Sequence, residues 1–125
     1  MLTERDLLLD IIQNTPEFSV WNISSDSWEK IPQVFSQYIL MNDVYGWDIT
    51  INQDNREHLI KIIDREEIYD KIVHQDISLN GDIIFQSYDN MSGSYIKSSF
   101  PYFKELMDKY SSEDYDFGVM ELLEN

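Results

Sequence analysis

One stretch near the middle of the chain, residues 76–88, constrains the fold most. Within it, Asn80-Gly81 separates two runs that are rich in β-forming residues. A type I′ hairpin turn needs a positive φ at both central positions, and Asn-Gly adopts that geometry at the least cost. The sequence therefore predicts a β-hairpin with three facing pairs: Leu79 with Asp82, Ile77 with Ile84, and Gln75 with Gln86.

A third strand is expected directly after this hairpin. Residues 88–94 contain Asp, Asn, Ser and Gly, which are typical of a turn. Residues 95–98 resume a strand-like pattern. The three segments together predict an antiparallel meander.

The first half of the chain predicts alternating helices and strands. Residues 3–14 show an apolar helical stripe, with Thr3 as N-cap and Asp6 at the capping-box position. Residues 18–23 read as a short strand, and residues 33–41, after Pro32, as a helix. Residues 45–51 alternate as in a half-buried strand, so Trp47, Ile49 and Ile51 face the core while Asp48 and Thr50 face away.

The remaining segments predict two more helices and an edge strand. Asp54, with Glu57 three residues later, is expected to cap a helix that runs through Ile63 and either continues or restarts over residues 66–69. Ser98 or Ser99 is expected to cap a last helix, running to about Tyr110. Residues 115–119 alternate as in an edge strand.

The order of these elements favours an α+β fold, an antiparallel meander sheet with helices packed on one face. No internal repeat, low-complexity segment or linker interrupts the sequence. The 125 residues are therefore expected to form a single domain, 1–125.

The charge of the chain is strongly one-sided. It carries 24 acidic and 9 basic residues, a formal net charge of −15, while 42% of its residues are hydrophobic and 14% aromatic. That apolar content favours a folded protein, and the charge disfavours direct binding to nucleic acid or anionic lipid and favours a basic partner. The acidic N-terminus and the lack of a long apolar stretch predict a cytoplasmic protein without a membrane span.

No known catalytic or metal-binding motif is present. The chain has no cysteine, and its two histidines, His58 and His74, lack a metal-site spacing. Neither a nucleophile elbow nor a Gly-rich phosphate loop occurs. We therefore expect no catalytic residues, no metal and no cofactor, and a protein that is not an enzyme.

Acidic side chains are concentrated in three places: around Asp64–Asp70, at Asp76 and Asp82 beside the hairpin, and at Glu113–Asp116 in the tail. In the tail, acids interleave with aromatics, a composition that suits an anchor for a basic surface, although the aromatics equally suit a core. Trp28 has polar neighbours, as an exposed anchor would. The candidate partner-binding residues are Glu113, Asp114, Tyr115, Asp116, Glu66, Glu67, Asp70 and Trp28.

In size, charge and class, the whole chain resembles bacterial immunity proteins that neutralise nuclease and other toxins, including those of contact-dependent inhibition systems. The resemblance implies a tight one-to-one complex that blocks the active or substrate-binding surface of a basic toxin domain. It assigns no role to any individual residue. Three alternatives stay open: a phage-type nucleic-acid mimic that inhibits a DNA-binding or defence enzyme, an adaptor whose charge serves solubility, and an enzyme that uses scattered carboxylates.

Overall fold

A computed structural model describes residues 2–25, 29–41, 46–111 and 117–123 as an α+β fold. Within these residues, seven strands form one sheet: β1 Ser19–Ser25, β2 Leu40–Met41, β3 Gly46–Ile51, β4 Ile72–Leu79, β5 Asp82–Tyr88, β6 Gly93–Ile96 and β7 Gly118–Glu121. The helices are α1 Glu4–Asn14, α2 Lys30–Val34, α3 Arg56–Arg65 and α4 Phe103–Lys109, with a 3-10 turn at Tyr69–Lys71.

The sheet has the strand order β2-β3-β1-β4-β5-β6-β7. All neighbouring strands are antiparallel except β6 and β7, which are parallel. The predicted meander is present as β4, β5 and β6. The edge strand expected over residues 115–119 is found at Gly118–Glu121 as β7, and its parallel pairing makes the sheet mostly, not wholly, antiparallel.

The central hairpin turns at Asn80 and Gly81, as predicted. Their φ angles are 53° and 81°, so both lie in the left-handed region that a type I′ turn requires. The predicted pairing of Leu79 with Asp82 is confirmed. A register shift then follows, so Ile77 faces Phe85 and not Ile84.

Helix α1 begins with the predicted capping box. The Thr3 amide donates to Asp6 Oδ2 at 2.9 Å, and the Asp6 amide donates to Thr3 Oγ1 at 3.3 Å. Two backbone donors at the helix start are thereby satisfied.

Other helix boundaries differ from the predictions. The helix expected over residues 33–41 spans only Lys30–Val34, and residues 40–41 instead pair with β3 as a strand. Asn55 and not Asp54 occupies the N-cap position of α3, and its side-chain oxygen accepts from the Asn52 amide in the preceding turn rather than from a helical amide. Helix α4 begins after Tyr102, which adopts a left-handed φ of 60°, and not at Ser98 or Ser99.

One face of the sheet carries the core. Side chains of β1, β3, β4, β5 and β6 that point to this face pack with the buried residues of all four helices in a single cluster. Trp21 is fully buried there, and its ring meets that of Phe35 edge-on at 5.4 Å between centroids. Trp47 is buried on the same face, as its strand pattern predicted.

Candidate functional site

The opposite face of the sheet carries no described helix, and we call it the open face. Along β1, β3 and β6, its side chains alternate with the buried ones and lie outside the core cluster. One row of register partners crosses all seven strands on this face. The row consists of Leu40, Asp48, Asn22, Asp76, Gln86, Tyr95 and Met120.

Two carboxylates lie near the centre of this row, on either side of Asn22. The Asn22 Nδ2 donates to Asp48 Oδ1 at 2.7 Å. Asp48 and Asp76 belong to strands β3 and β4, which both pair with β1. From the spacing of strands, their Cα atoms are roughly 10 Å apart. The sheet therefore concentrates negative charge at this point of the open face.

The pKa of Asp76 is raised above its ordinary value of 3.8. Partial burial is the larger cause, because it disfavours the charged form, and the negative charge of Asp48 is the second. A cation brought to this carboxylate would relieve both effects. The environment of Asp76 thus suits contact with a positively charged group.

Aromatic rings flank the carboxylates on the same face. His74 and Tyr88 are register partners, with ring centroids 5.2 Å apart in an edge-on arrangement. Tyr88 and Tyr95 are 6.1 Å apart in a similar arrangement. Tyr88 is 40% exposed. Rings beside carboxylates combine apolar contact area with charge, as at the anchor positions of protein interfaces.

The strands carry no lysine or arginine. All nine basic residues lie in the described part of the chain, and eight of them belong to the four helices and the 3-10 turn. The ninth, Lys97, follows β6 and binds both carboxylate oxygens of Asp82, at 2.8 and 2.7 Å. The open face is therefore acidic, while the basic residues lie mainly on the helical side.

The end of the open face beside the central hairpin is concave. A depression of about 470 Å³ is lined there by Ile83, Gln86 and Lys97 together with Leu122 and Leu123 after β7. Gly81 and Asp82 complete the lining, so the depression offers both polar and apolar contacts to an inserted side chain of a partner.

Only one of the two predicted partner-binding patches falls on described residues. Glu66 and Glu67 lie at the end of α3, where Glu66 binds Lys30 at 2.6 Å and Glu67 lies 3.6 Å from Arg5. Asp70, in the 3-10 turn, is exposed. The predicted residues Trp28, Glu113, Asp114, Tyr115 and Asp116 lie outside the described residues. The ion pairs reduce the charge that Glu66 and Glu67 offer to a partner.

Metal sites and membrane-spanning helices were sought in the part of the chain that the structure describes. Within it, no group of three or more His, Asp or Glu side chains is arranged to hold a metal ion. No helix within it is long and apolar enough to cross a bilayer.

The cross-strand row that contains Asp48 and Asp76, which we call the acidic row, was predictable from the sequence only as two separate acids. The hairpin pattern marked Asp76 as part of an acidic concentration, and strand alternation placed Asp48 away from the core. The strand order β3-β1-β4 joins the two, and no local pattern reveals it. The aromatic flank was not predicted, although alternation from Gly93 onward would have assigned Tyr95 to the face opposite Ile96.

The comparisons with known proteins add no relative, because no family model, no curated protein and no solved structure matches the chain.

Proposed function

We propose that this protein is an acidic inhibitor that binds a basic protein through the open face of its sheet. The segregation of charge carries the proposal: the strands present carboxylates without a lysine or arginine, and the basic residues lie mainly on the helical side. A basic surface that approaches the molecule is steered toward the open face. The rings of Tyr88 and Tyr95 supply apolar contact beside the charges.

The most specific form of the proposal is an immunity protein that neutralises a nuclease-type toxin. A nuclease binds a polyanion, so the surface around its active site is basic. An acidic sheet face that covers this surface blocks access of the substrate. The resemblance in size, charge and class to toxin-immunity proteins supports this reading.

A nucleic-acid mimic is the second candidate. Such a mimic would also be negatively charged, and two members of the acidic row, Asp48 and Asp76, are consistent with mimicry. A mimic needs carboxylates spaced like phosphates over a long surface, whereas beyond Asp76 the row continues with Gln86, Tyr95 and Met120. These uncharged side chains favour a dedicated protein interface over mimicry.

Affinity capture from the native host, washed at low and then high salt, tests the proposal. We expect one basic protein to survive the high-salt wash, and we expect its toxicity to be abolished when this chain is co-expressed with it. A broad set of DNA-binding proteins that is lost on adding salt would favour mimicry. If no basic protein is captured at either salt concentration, both forms of the proposal are wrong.

A further inference from the structure

Three of the four glycines lie in one cross-strand row of the open face, next to the acidic row. Through their register partners, the row crosses six strands from β3 to β7. Its members are Gly46, Ser24, His74, Tyr88, Gly93 and Gly118. Side chains are thus missing at both ends of a row whose middle holds the exposed Tyr88.

The backbone does not require glycine at two of these positions. Gly93 and Gly118 are register partners on β6 and β7, and neither has the positive φ that Gly81 has. A Cβ added to either would meet no heavy atom of the described residues within 4 Å. Glycine weakens a strand, and in such a place it often marks a close approach by a ligand or another chain.

Gly93 and Gly118 form a floor of bare backbone, which we call the glycine floor. Tyr88 borders it, because Tyr88 is the register partner of Gly93. Tyr95 and Met120 border it along the strands, since each lies two residues further on the same face. With Tyr88 40% and Met120 48% exposed, apolar surface surrounds the floor.

We propose that the glycine floor seats an arginine side chain of the basic partner, with its guanidinium against the ring of Tyr88. The inference rests on the proposed function, which supplies the basic partner, and it adds the chemistry of that partner's anchor. Asp76 is a diagonal neighbour of Tyr88 across β4 and β5, within reach of a long side chain. The acidic row therefore complements the charge of this anchor.

The shape of the floor favours arginine over lysine. A guanidinium is planar and weakly hydrated, so it lies flat on backbone and stacks on an aromatic ring. An ammonium is compact and strongly hydrated, and it gains little from a flat surface. A side chain on Gly93 or Gly118 would lift the guanidinium from the floor.

Two peptides, hepta-arginine and hepta-lysine, test the inference by NMR titration at physiological salt. Both carry seven charges, so the long-range attraction to an acidic face is matched, and the Gly93→Thr variant accounts for the stronger pairing of arginine with carboxylates. We expect hepta-arginine to bind about fivefold more tightly, because the planar, weakly hydrated guanidinium stacks on the ring and on the backbone better than an ammonium does. We also expect it to shift the amide signals of Gly93 and Gly118 more than hepta-lysine does.

The Gly93→Thr variant separates a binding role from a structural one. Threonine suits a strand and has space here, so the melting temperature should equal or exceed that of the parent. The preference for hepta-arginine should disappear. Ser78→Thr, on the same face at the other side of Asp76, is the matched control and should keep the preference.

The outcomes distinguish this inference from the function on which it rests. If both peptides bound with equal affinity, and Gly93→Thr changed neither affinity, the glycine floor would not be an arginine-binding site. If Asp48→Asn and Asp76→Asn then weakened both peptides, the acidic docking face would stand. If neither peptide shifted the amide signal of any open-face residue, the proposal that the open face binds a basic partner would be wrong as well.

Discussion

At the scale of single residues, Asp76 has a measurable thermodynamic effect. Its pKa is raised in the folded protein by burial and by the charge of Asp48, so ionising it costs more in the folded than in the unfolded chain. Its contribution to stability is therefore fully present below pH 3.8, the ordinary value, and is lost as pH rises through the raised pKa. The interaction with a cationic partner would reverse this loss.

We predict that Asp76→Asn melts at a higher temperature than the parent at pH 7, because the amide cannot ionise. The difference should shrink as pH falls toward 3, where Asp76 is protonated in both folded and unfolded protein. Thermal melts across this pH range check it. Asp64→Asn, an exposed acid on α3, removes the same charge, and a variant of Asp76 that behaved identically to it would contradict the account.

We predict that Gly81→Val lowers the free energy of unfolding by about 1–3 kcal/mol, because a β-branched residue at a φ of 81° is strained. Urea denaturation measures the change. Gly118→Val is the matched control, since that glycine has no positive φ and open space around its Cα. Equal stability of Gly81→Val and the parent would show that the turn does not require glycine.

Single-residue predictions from the sequence succeeded where the cause is local. The positive φ angles of Asn80 and Gly81 follow from the turn chemistry of two adjacent residues. Burial of Trp47 follows from alternation within one strand. The contact of Asn22 with Asp48 spans 26 residues, and nothing local specifies it.

At the scale of elements, helix α1 depends on its capping box. We predict that Thr3→Ala destabilises the protein by about 1 kcal/mol, because the Asp6 amide loses its acceptor. Differential scanning calorimetry should show a melting temperature lowered by roughly 4 °C. Thr3→Ser retains the hydroxyl and should melt near the parent; if Thr3→Ala did so as well, the cap would have no role in stability.

The boundaries that the sequence mispredicted were decided by contacts far along the chain. Residues 40–41 leave the helical pattern because they pair with β3. The register of the central hairpin shifts between Ile77 and Ser78. Ile84 forms a bulge there, and Phe85 lies opposite Ile77. Such a shift is set by packing on both faces of a sheet, and packing is invisible in a short window.

At the scale of the whole molecule, the fold keeps lysine and arginine out of the strands, while acidic residues lie in strands and helices alike. Composition established that the chain is acidic, and the α+β class followed from the order of helical and strand patterns. The positions of the charges on the folded protein could not be predicted from the sequence, because they depend on which strands become neighbours. The order β3-β1-β4 brings Asp48 and Asp76 into one row, and the helices carry most of the basic residues to the other side.

The central claim, that the open face binds the basic partner, is tested most directly by two matched double variants. Asp48→Asn/Asp76→Asn and Glu66→Gln/Glu67→Gln each remove two of the 24 acids, so the net charge changes equally. The second variant also breaks the ion pairs with Lys30 and Arg5. The measurement is the dissociation constant of each variant with the basic protein captured from the host.

We predict that the Asp48/Asp76 variant binds at least about 100-fold more weakly, because it removes charges that contact the partner. The Glu66/Glu67 variant should stay within about threefold of the parent, since distant charges act through steering alone. If the Glu66/Glu67 variant lost binding while the Asp48/Asp76 variant kept it, the partner would lie on the helical side and the account would be wrong.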